Sequence, residues 1–106
     1  MVHHNGKSGI RYETCRGPSK IINNRVFANG YLKKSIRDGR GGILLVSAQG
    51  VEVAGNIVKG NRGDGILAKS GNRQRTSMVR IHHNSLGNDT LKGCKLTGVV
   101  CRANGK

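Results

Sequence analysis

The sequence predicts an all-β domain wound as a single short solenoid of about three to four coils, with uncapped ends. Three observations carry that prediction. The segments "SKIINNRVFAN" (19–29), "VEVAGNIVKGN" (51–61) and "VRIHHNSLGND" (79–89) align without gaps on Asn24, Asn56 and Asn84. A second segment accompanies them: "SGIRYET" (8–14), "GGILLVS" (41–47), "DGILAKS" (64–70) and finally "TGVVCRA" (97–103), anchored on Gly9, Gly42, Gly65 and Gly98. The glycines are spaced by 33, 23 and 33 residues and the asparagines by 32 and 28, and internal repeats of this order mark units that cannot bury an apolar face alone. Third, 17 of the 106 residues are Gly, each costing about 1 kcal/mol inside a helix relative to Ala. No 12-residue window carries a Gly-free apolar stripe at helical spacing.

The elements follow from alternation. In the glycine-anchored segment Ile10, Ile43, Ile66 and Val99 face inward, as do Tyr12, Leu45, Ala68 and Cys101. The second segment contributes Ile21, Val53 and Ile81, and a third short strand contributes Val26, Val58 and Leu86. None of these positions is Lys or Arg, although the chain holds 19 of them. Equivalent strands of successive coils are expected to pair in parallel, one strand spacing apart. Asn24, Asn56 and Asn84 are expected to turn the chain and to bond to one another from coil to coil, since Asn tolerates a left-handed backbone and its amide both donates and accepts. Asn5, Asn29, Asn61 and Asp89 suggest a second such corner. One domain, 1–106, is expected, with coils at 8–29, 41–61, 64–89 and 97–104 and insertions at 30–40 and 71–78.

The pattern Gly-Ile-x-x-x-Ser/Thr followed by Val-x-Ile-x-x-Asn-x-Val-x-x-Asn resembles the repeat of the pectin-lyase-like superfamily, over residues 2–104. The resemblance implies a right-handed parallel β-helix and an extracellular or cell-surface setting. That superfamily includes polysaccharide lyases, polygalacturonases, epimerases, phage tailspikes and carbohydrate-binding proteins of the NosD type, so one fold hosts many functions. The chain opens in the middle of a coil, ends before another second strand, and offers no capping helix. It therefore reads as a fragment of a longer protein, or as a subunit that stacks end to end through exposed strand edges.

Composition bounds the partners. Nineteen Lys and Arg against five Asp and Glu give a net charge of +14, which favours acidic partners. No run of 18 apolar residues is present, and "MVHHNGKSG" lacks the apolar stretch of a signal peptide. Three cysteines cannot all pair within the chain. Cys15 and Cys94 fall about three coils apart, on the order of 14 Å, and Cys101 reads as a buried structural thiol.

Outward positions are where chemistry would sit. Arg11, Leu44, Leu67 and Val100 form one expected column, and Glu13, Val46, Lys69 and Arg102 the next. On the second strand set, Lys20, Glu52 and Arg80 form a salt ladder beside Ile22, Ala54 and His82. The superfamily's lyases use a basic residue as base, which Lys69 or Arg102 would supply. Its calcium-binding acid clusters and paired catalytic acids have no counterpart among Glu13, Asp38, Glu52, Asp64 and Asp89. Glu13 beside Arg11 is a surface ion partner before it is a catalytic acid. His3-His4 and His82-His83 are adjacent pairs, and neighbours in a strand point to opposite faces, so neither pair is expected to chelate by itself. No cofactor or metal is expected. "GKS" (6–8) lacks the first glycine of a phosphate loop, and "NDT" (88–90) fits a glycosylation sequon.

The leading expectation is a segment that binds anionic, uronic-acid-containing polysaccharide and is non-catalytic alone. Arg11, Lys69, Arg80, His82 and Arg102 would form the binding face, ringed by Lys33, Lys34, Arg37, Arg40, Arg73 and Arg75, with Leu44, Leu67 and Val100 as an apolar strip for sugar rings. The alternatives are a truncated polysaccharide lyase or epimerase, with Glu13, Lys69 and Arg102 as its weak catalytic candidates, and a small basic nucleic-acid binder stacking bases on Phe27 and Tyr31.

Overall fold

The computed structural model describes residues 2–3, 8–14, 16–29, 41–70 and 76–105. Asn5, Cys15, Tyr31, the insertion lysines and arginines 33–40, and Arg73 and Arg75 lie outside the described residues. The described chain is all-β. Its strands are β1 (Val2–His3), β2 (Ser8–Glu13), β3 (Arg16–Ile22), β4 (Arg25–Phe27), β5 (Gly41–Val46), β6 (Gln49–Ala54), β7 (Ile57–Lys59), β8 (Asp64–Lys69), β9 (Val79–His82), β10 (Leu91–Lys92) and β11 (Val99–Arg102). No helix among the described residues is long and apolar enough to cross a membrane.

The expectation of one right-handed β-helix solenoid is corrected by the strand pairing, which sorts the strands into three separate parallel sheets. The first has the order β1-β4-β7, the second β10-β8-β5-β2 and the third β11-β9-β6-β3. The repeats identify which segments are equivalent, but backbone hydrogen bonds decide the sheets, and through the first three repeats these bonds run between equivalent strands. Their inner faces share one core, built on Ile43, Leu45 and Ile66 from the second sheet, Val53 and Ile81 from the third, and Val26 and Val58 from the first.

The last repeat departs furthest from the expected register. Leu91, not Val99, pairs with Ile66 and completes the second sheet. Val99–Arg102 instead pairs with β9 in the third sheet, setting Val99 beside Val79 and Cys101 beside Ile81. Gly98 therefore does not belong to the column of Gly9, Gly42 and Gly65. A Cβ on Gly42 would lie 2.5 Å from the Gly65 carbonyl oxygen and 2.6 Å from Val58 Cγ1, whereas one on Gly98 would meet Ser77 at 2.9 Å. The true column keeps glycine because backbone and the first sheet press on it; Gly98 merely resembles it in sequence.

The Asn corners are hydrogen-bonded columns. Asn24 donates its backbone N–H and its Nδ2 to Asn56 Oδ1, at 2.9 and 3.1 Å. Asn56 does the same to Asn84 Oδ1 (3.0 and 2.9 Å), and Asn84 to Asn104 Oδ1 (3.1 and 2.9 Å). From Asn56 onward each Nδ2 also donates to a carbonyl of the preceding repeat, Asn56 to Ile21, Asn84 to Val53 and Asn104 to Ile81, whereas Asn24 Nδ2 donates to Ile22 of its own repeat. The left-handed corner, however, is taken by the residue before: Asn23, Gly55, His83 and Ala103 have φ of 55°, 65°, 54° and 53°. The ladder asparagine is freed from turning the chain, and its amide points inward. A second ladder runs from Asn29 to Asn61 (2.8 Å) and ends on Asp89, whose Oδ2 accepts from Asn61 Nδ2 at 3.0 Å.

Cys94 and Cys101 form a disulfide with Cα atoms 5.7 Å apart. The expected free thiol at Cys101 is thereby corrected. With Val99–Arg102 moved to the third sheet, the loop from Cys94 folds back on the same strand.

Two outcomes follow. Asn56→Ala strips acceptors from Asn24 and a donor from Ile21, so chemical denaturation is expected to show a loss of about 2–4 kcal/mol, a buried polar group left unpaired costing about 1–3 kcal/mol; a loss below about 1 kcal/mol would contradict a structural ladder. Reducing Cys94–Cys101, which closes a loop of sequence separation 7, is expected to lower unfolding free energy by about 2–3 kcal/mol, read as a shifted midpoint in reductant.

Candidate functional site

The outer face of the second sheet does not form the expected open strip. Leu44 is 2% exposed and Val46 9%. Gly41–Val46 is buried throughout, as befits a continuous apolar run in a parallel sheet rather than an alternating one. Val100 is 58% exposed, but it stands on the third sheet, across the corner from Leu44 and Leu67.

The same register change divides the residues expected to act together. Glu13 lies at the end of β2, where Arg11 Nη2 donates to its two carboxylate oxygens at 2.9 and 3.0 Å. Lys69 ends β8, with Val46 between it and Glu13 in the sheet. Two strand spacings, about 9.6 Å, therefore separate these positions. Arg102 is not beside Lys69; its register partner is His82. Arg11 and Lys69 thus stand on one sheet, and Arg80, His82 and Arg102 on another.

The third sheet carries the concave surface. A groove of about 840 Å³ runs over its outer face, lined by Arg16, Pro18 and Lys20 from β3, Gln49 and Glu52 from β6, and Met78, Arg80 and Val100 from the following repeats. A second hollow of about 510 Å³ adjoins it, sharing Glu52, Arg80 and Val100 and adding His82 and Arg102. Parallel pairing sets the rows: Lys20, Glu52, Arg80 and Val100 lie side by side, as do Ile22, Ala54, His82 and Arg102.

Glu52 is the centre of this surface. Its Oε2 is 2.7 Å from His82 Nε2 and 3.7 Å from Arg80 Nη2. The expected Lys20–Glu52–Arg80 ladder is thus dominated by a diagonal contact to the next row. The His82 hydrogen bond is the main cause holding the Glu52 carboxyl below the usual carboxylate range; partial burial opposes it, while the charges of Arg80, His82 and Lys20 add to it. The sequence held a signal for this contact: Glu52 and His82 are outward residues on adjacent strands, offset by two, a spacing that long side chains bridge.

His82 and His83 do not diverge as adjacent strand residues would. His83 sits at the left-handed corner, φ 54°, and the turn swings its ring back until its Nδ1 is 2.6 Å from His82 Nδ1. The pair and Glu52 form a continuous chain of polar contacts at one end of the groove. Among the described residues no group of three or more His, Cys, Asp or Glu side chains forms a metal cage.

The depressed Glu52 carboxyl has a defined consequence for acid stability. Because it ionises below its unfolded value, its contribution is complete above the unfolded pKa and is lost as pH falls through the folded one. The stability difference between the wild type and Glu52→Gln is therefore expected to shrink between about pH 5 and pH 2, measured by urea denaturation at each pH. A difference that grows on acidification would contradict the assignment.

No family model, curated protein or solved structure matches the chain, so the pectin-lyase-like resemblance rests on the residue pattern of the repeats alone.

Proposed function

We propose that this chain binds an anionic polysaccharide rich in uronic acids along the outer face of the third sheet, without turning it over. The observation that carries the proposal is the charge of the groove. Arg16, Lys20, Arg80 and Arg102 line it, while Glu52, the one carboxylate among the described lining residues, is already engaged by His82. Lys20 and Arg80 stand on β3 and β9, two strand spacings or about 9.6 Å apart with Glu52 of β6 between them, and Arg102 stands on β11 next to β9, so an extended ligand lying across the strands meets positive charge on three of the four strands. Guanidinium groups suit carboxylates because two N–H donors match two oxygens. Pro18, Met78 and Val100 offer apolar contact to the faces of sugar rings.

Two features favour binding over catalysis. Glu13 and Lys69 lie on the second sheet and Arg102 on the third, so the residues named as candidates for a lyase site are not gathered. In the groove itself, both ring nitrogens of His82 are already in polar contact, with Glu52 and His83. The Cys94–Cys101 disulfide supports an oxidising setting such as the extracellular space or cell surface.

Retention on immobilised polygalacturonate and alginate, compared with heparin and duplex DNA under a salt gradient, tests the proposal. Elution from the uronate matrices is expected at higher salt than from DNA, and Arg80→Ala/Arg102→Ala is expected to weaken uronate binding about tenfold or more, each desolvated charged contact contributing about 1.5–3 kcal/mol. Equal retention on every polyanion, unaltered in the variant, would reduce the interaction to net charge; tighter binding to DNA would assign the groove to phosphate instead.

A further inference from the structure

The groove on the third sheet repeats at every second strand. Its central row sets Lys20 on β3, Glu52 on β6, Arg80 on β9 and Val100 on β11, so a cation stands at the first and third places and none at the second and fourth. The outward row before it, which precedes Ser19, Val51, Val79 and Val99, keeps the same alternation. Pro18 and Met78 fill its first and third places, while Gly50 and Gly98 leave the second and fourth without a side chain. Both glycines hold a left-handed backbone, φ 69° and 87°, and a Cβ on either would press on neighbouring backbone, 3.2 Å from Gly17 Cα and 2.9 Å from Ser77 Cα. Lys20 and Arg80 are thus two strand spacings apart, about 9.6 Å, with a carboxylate midway. His82 Nε2 holds that carboxylate from the side at 2.7 Å, and its hydrogen bond keeps Glu52 ionised below the usual range. Arg102 stands one row further along β11, beside His82, and shares a hollow with Arg80, so it extends the cationic pole at β9 and adds no cation over β6.

We propose that the groove selects a polysaccharide in which uronate units alternate with uncharged sugars over an unbroken run of uronates, a selection that rests on the uronate binding proposed above. An extended pyranose chain laid across the strands advances close to one strand spacing, about 4.8 Å, per sugar. A homopolymer then presents a carboxylate over every strand, and the one above β6 meets Glu52, a like charge that costs binding energy. An alternating chain presents its carboxylates at Lys20 and Arg80 alone. Its uncharged unit falls over β6, where Glu52 accepts hydrogen bonds from hydroxyl or amide groups and Gly50 leaves room for a ring substituent. The next uncharged unit falls over β11, against Gly98 and the exposed Val100. Glu52 therefore acts by rejecting the wrong polymer, since specificity is a difference of affinities that a built-in repulsion supplies.

The test is a calorimetric titration with size-matched oligosaccharides in one buffer and salt: a hyaluronan hexasaccharide, which alternates glucuronate with an uncharged N-acetylated sugar, against hexagalacturonate. The alternating oligomer carries half as many carboxylates, so net charge alone favours hexagalacturonate. The groove is expected to bind the alternating oligomer about tenfold more tightly, like charges facing across an interface being costly. Glu52→Gln keeps the side-chain shape and removes the repulsion, so it is expected to tighten hexagalacturonate binding about fivefold and to bring the two affinities within about twofold of each other. Circular dichroism identical to the wild type shows that the variant is folded, and the wild-type ratio decides by itself where it is not. Hexagalacturonate bound equally or more tightly by the wild type, or a ratio unaltered in folded Glu52→Gln, would overturn the selection while leaving uronate binding in place. Binding of neither oligomer would overturn both.

Discussion

The architecture depends on the saturation of a buried amide column. Asn56 and Asn84 are 1% and 2% exposed, and an unpaired amide at that depth would cost more than most single apolar contacts return. From Asn56 onward each ladder oxygen accepts two hydrogens from the preceding repeat, and each Nδ2 returns one hydrogen to a carbonyl there. A shift of one residue would break both sets at every rung and turn the apolar faces outward. The ladder therefore locks the register of the first and third sheets together, and the core between them can close.

That lock has a direction. Donation runs from Asn24 through Asn56 and Asn84 to Asn104, and in parallel from Asn29 through Asn61 to Asp89. A carboxylate accepts but does not donate, so Asp89 takes Asn61 Nδ2 and the N–H groups of Gly60 and Asn61, ending that column without another amide. The left-handed residue preceding each amide then varies freely among Asn, Gly, His and Ala. At one corner this freedom placed a histidine, and its ring falls against His82. The buried polar column thus determines, at one remove, which side chains meet on the surface.

The three sheets also divide the labour between stability and binding. The second sheet buries both faces of β5, where the chain spends its most apolar run. The third alternates, with Val51 and Val53 inside and Glu52 and Ala54 outside, and leaves a concave polar surface. A net charge of +14 spread over so small a domain gives a general attraction for anions; the groove adds geometry by holding four cations around one engaged carboxylate.

Sequence alone determined the all-β class, the equivalence of the repeats, the inward columns of the first three repeats and the partnership of Asn24, Asn56 and Asn84. These are local matters: alternation assigns faces, and recurrence identifies equivalents. Tertiary structure decided what depends on pairing between distant segments. "TGVVCRA" matches the glycine-anchored segment by pattern, yet Leu91–Lys92 claims that place, and the displaced strand carries Cys101 to Cys94 and Arg102 to His82. Asn104 joined the ladder only through that move. Glu52 and His82 were each read correctly as outward, but whether a carboxylate meets the cation beside it or the imidazole on the diagonal depends on side-chain reach across a twisted sheet. Adjacent histidines face apart in a strand and converge at a corner, and the corner was fixed by the amide column rather than by the histidines themselves.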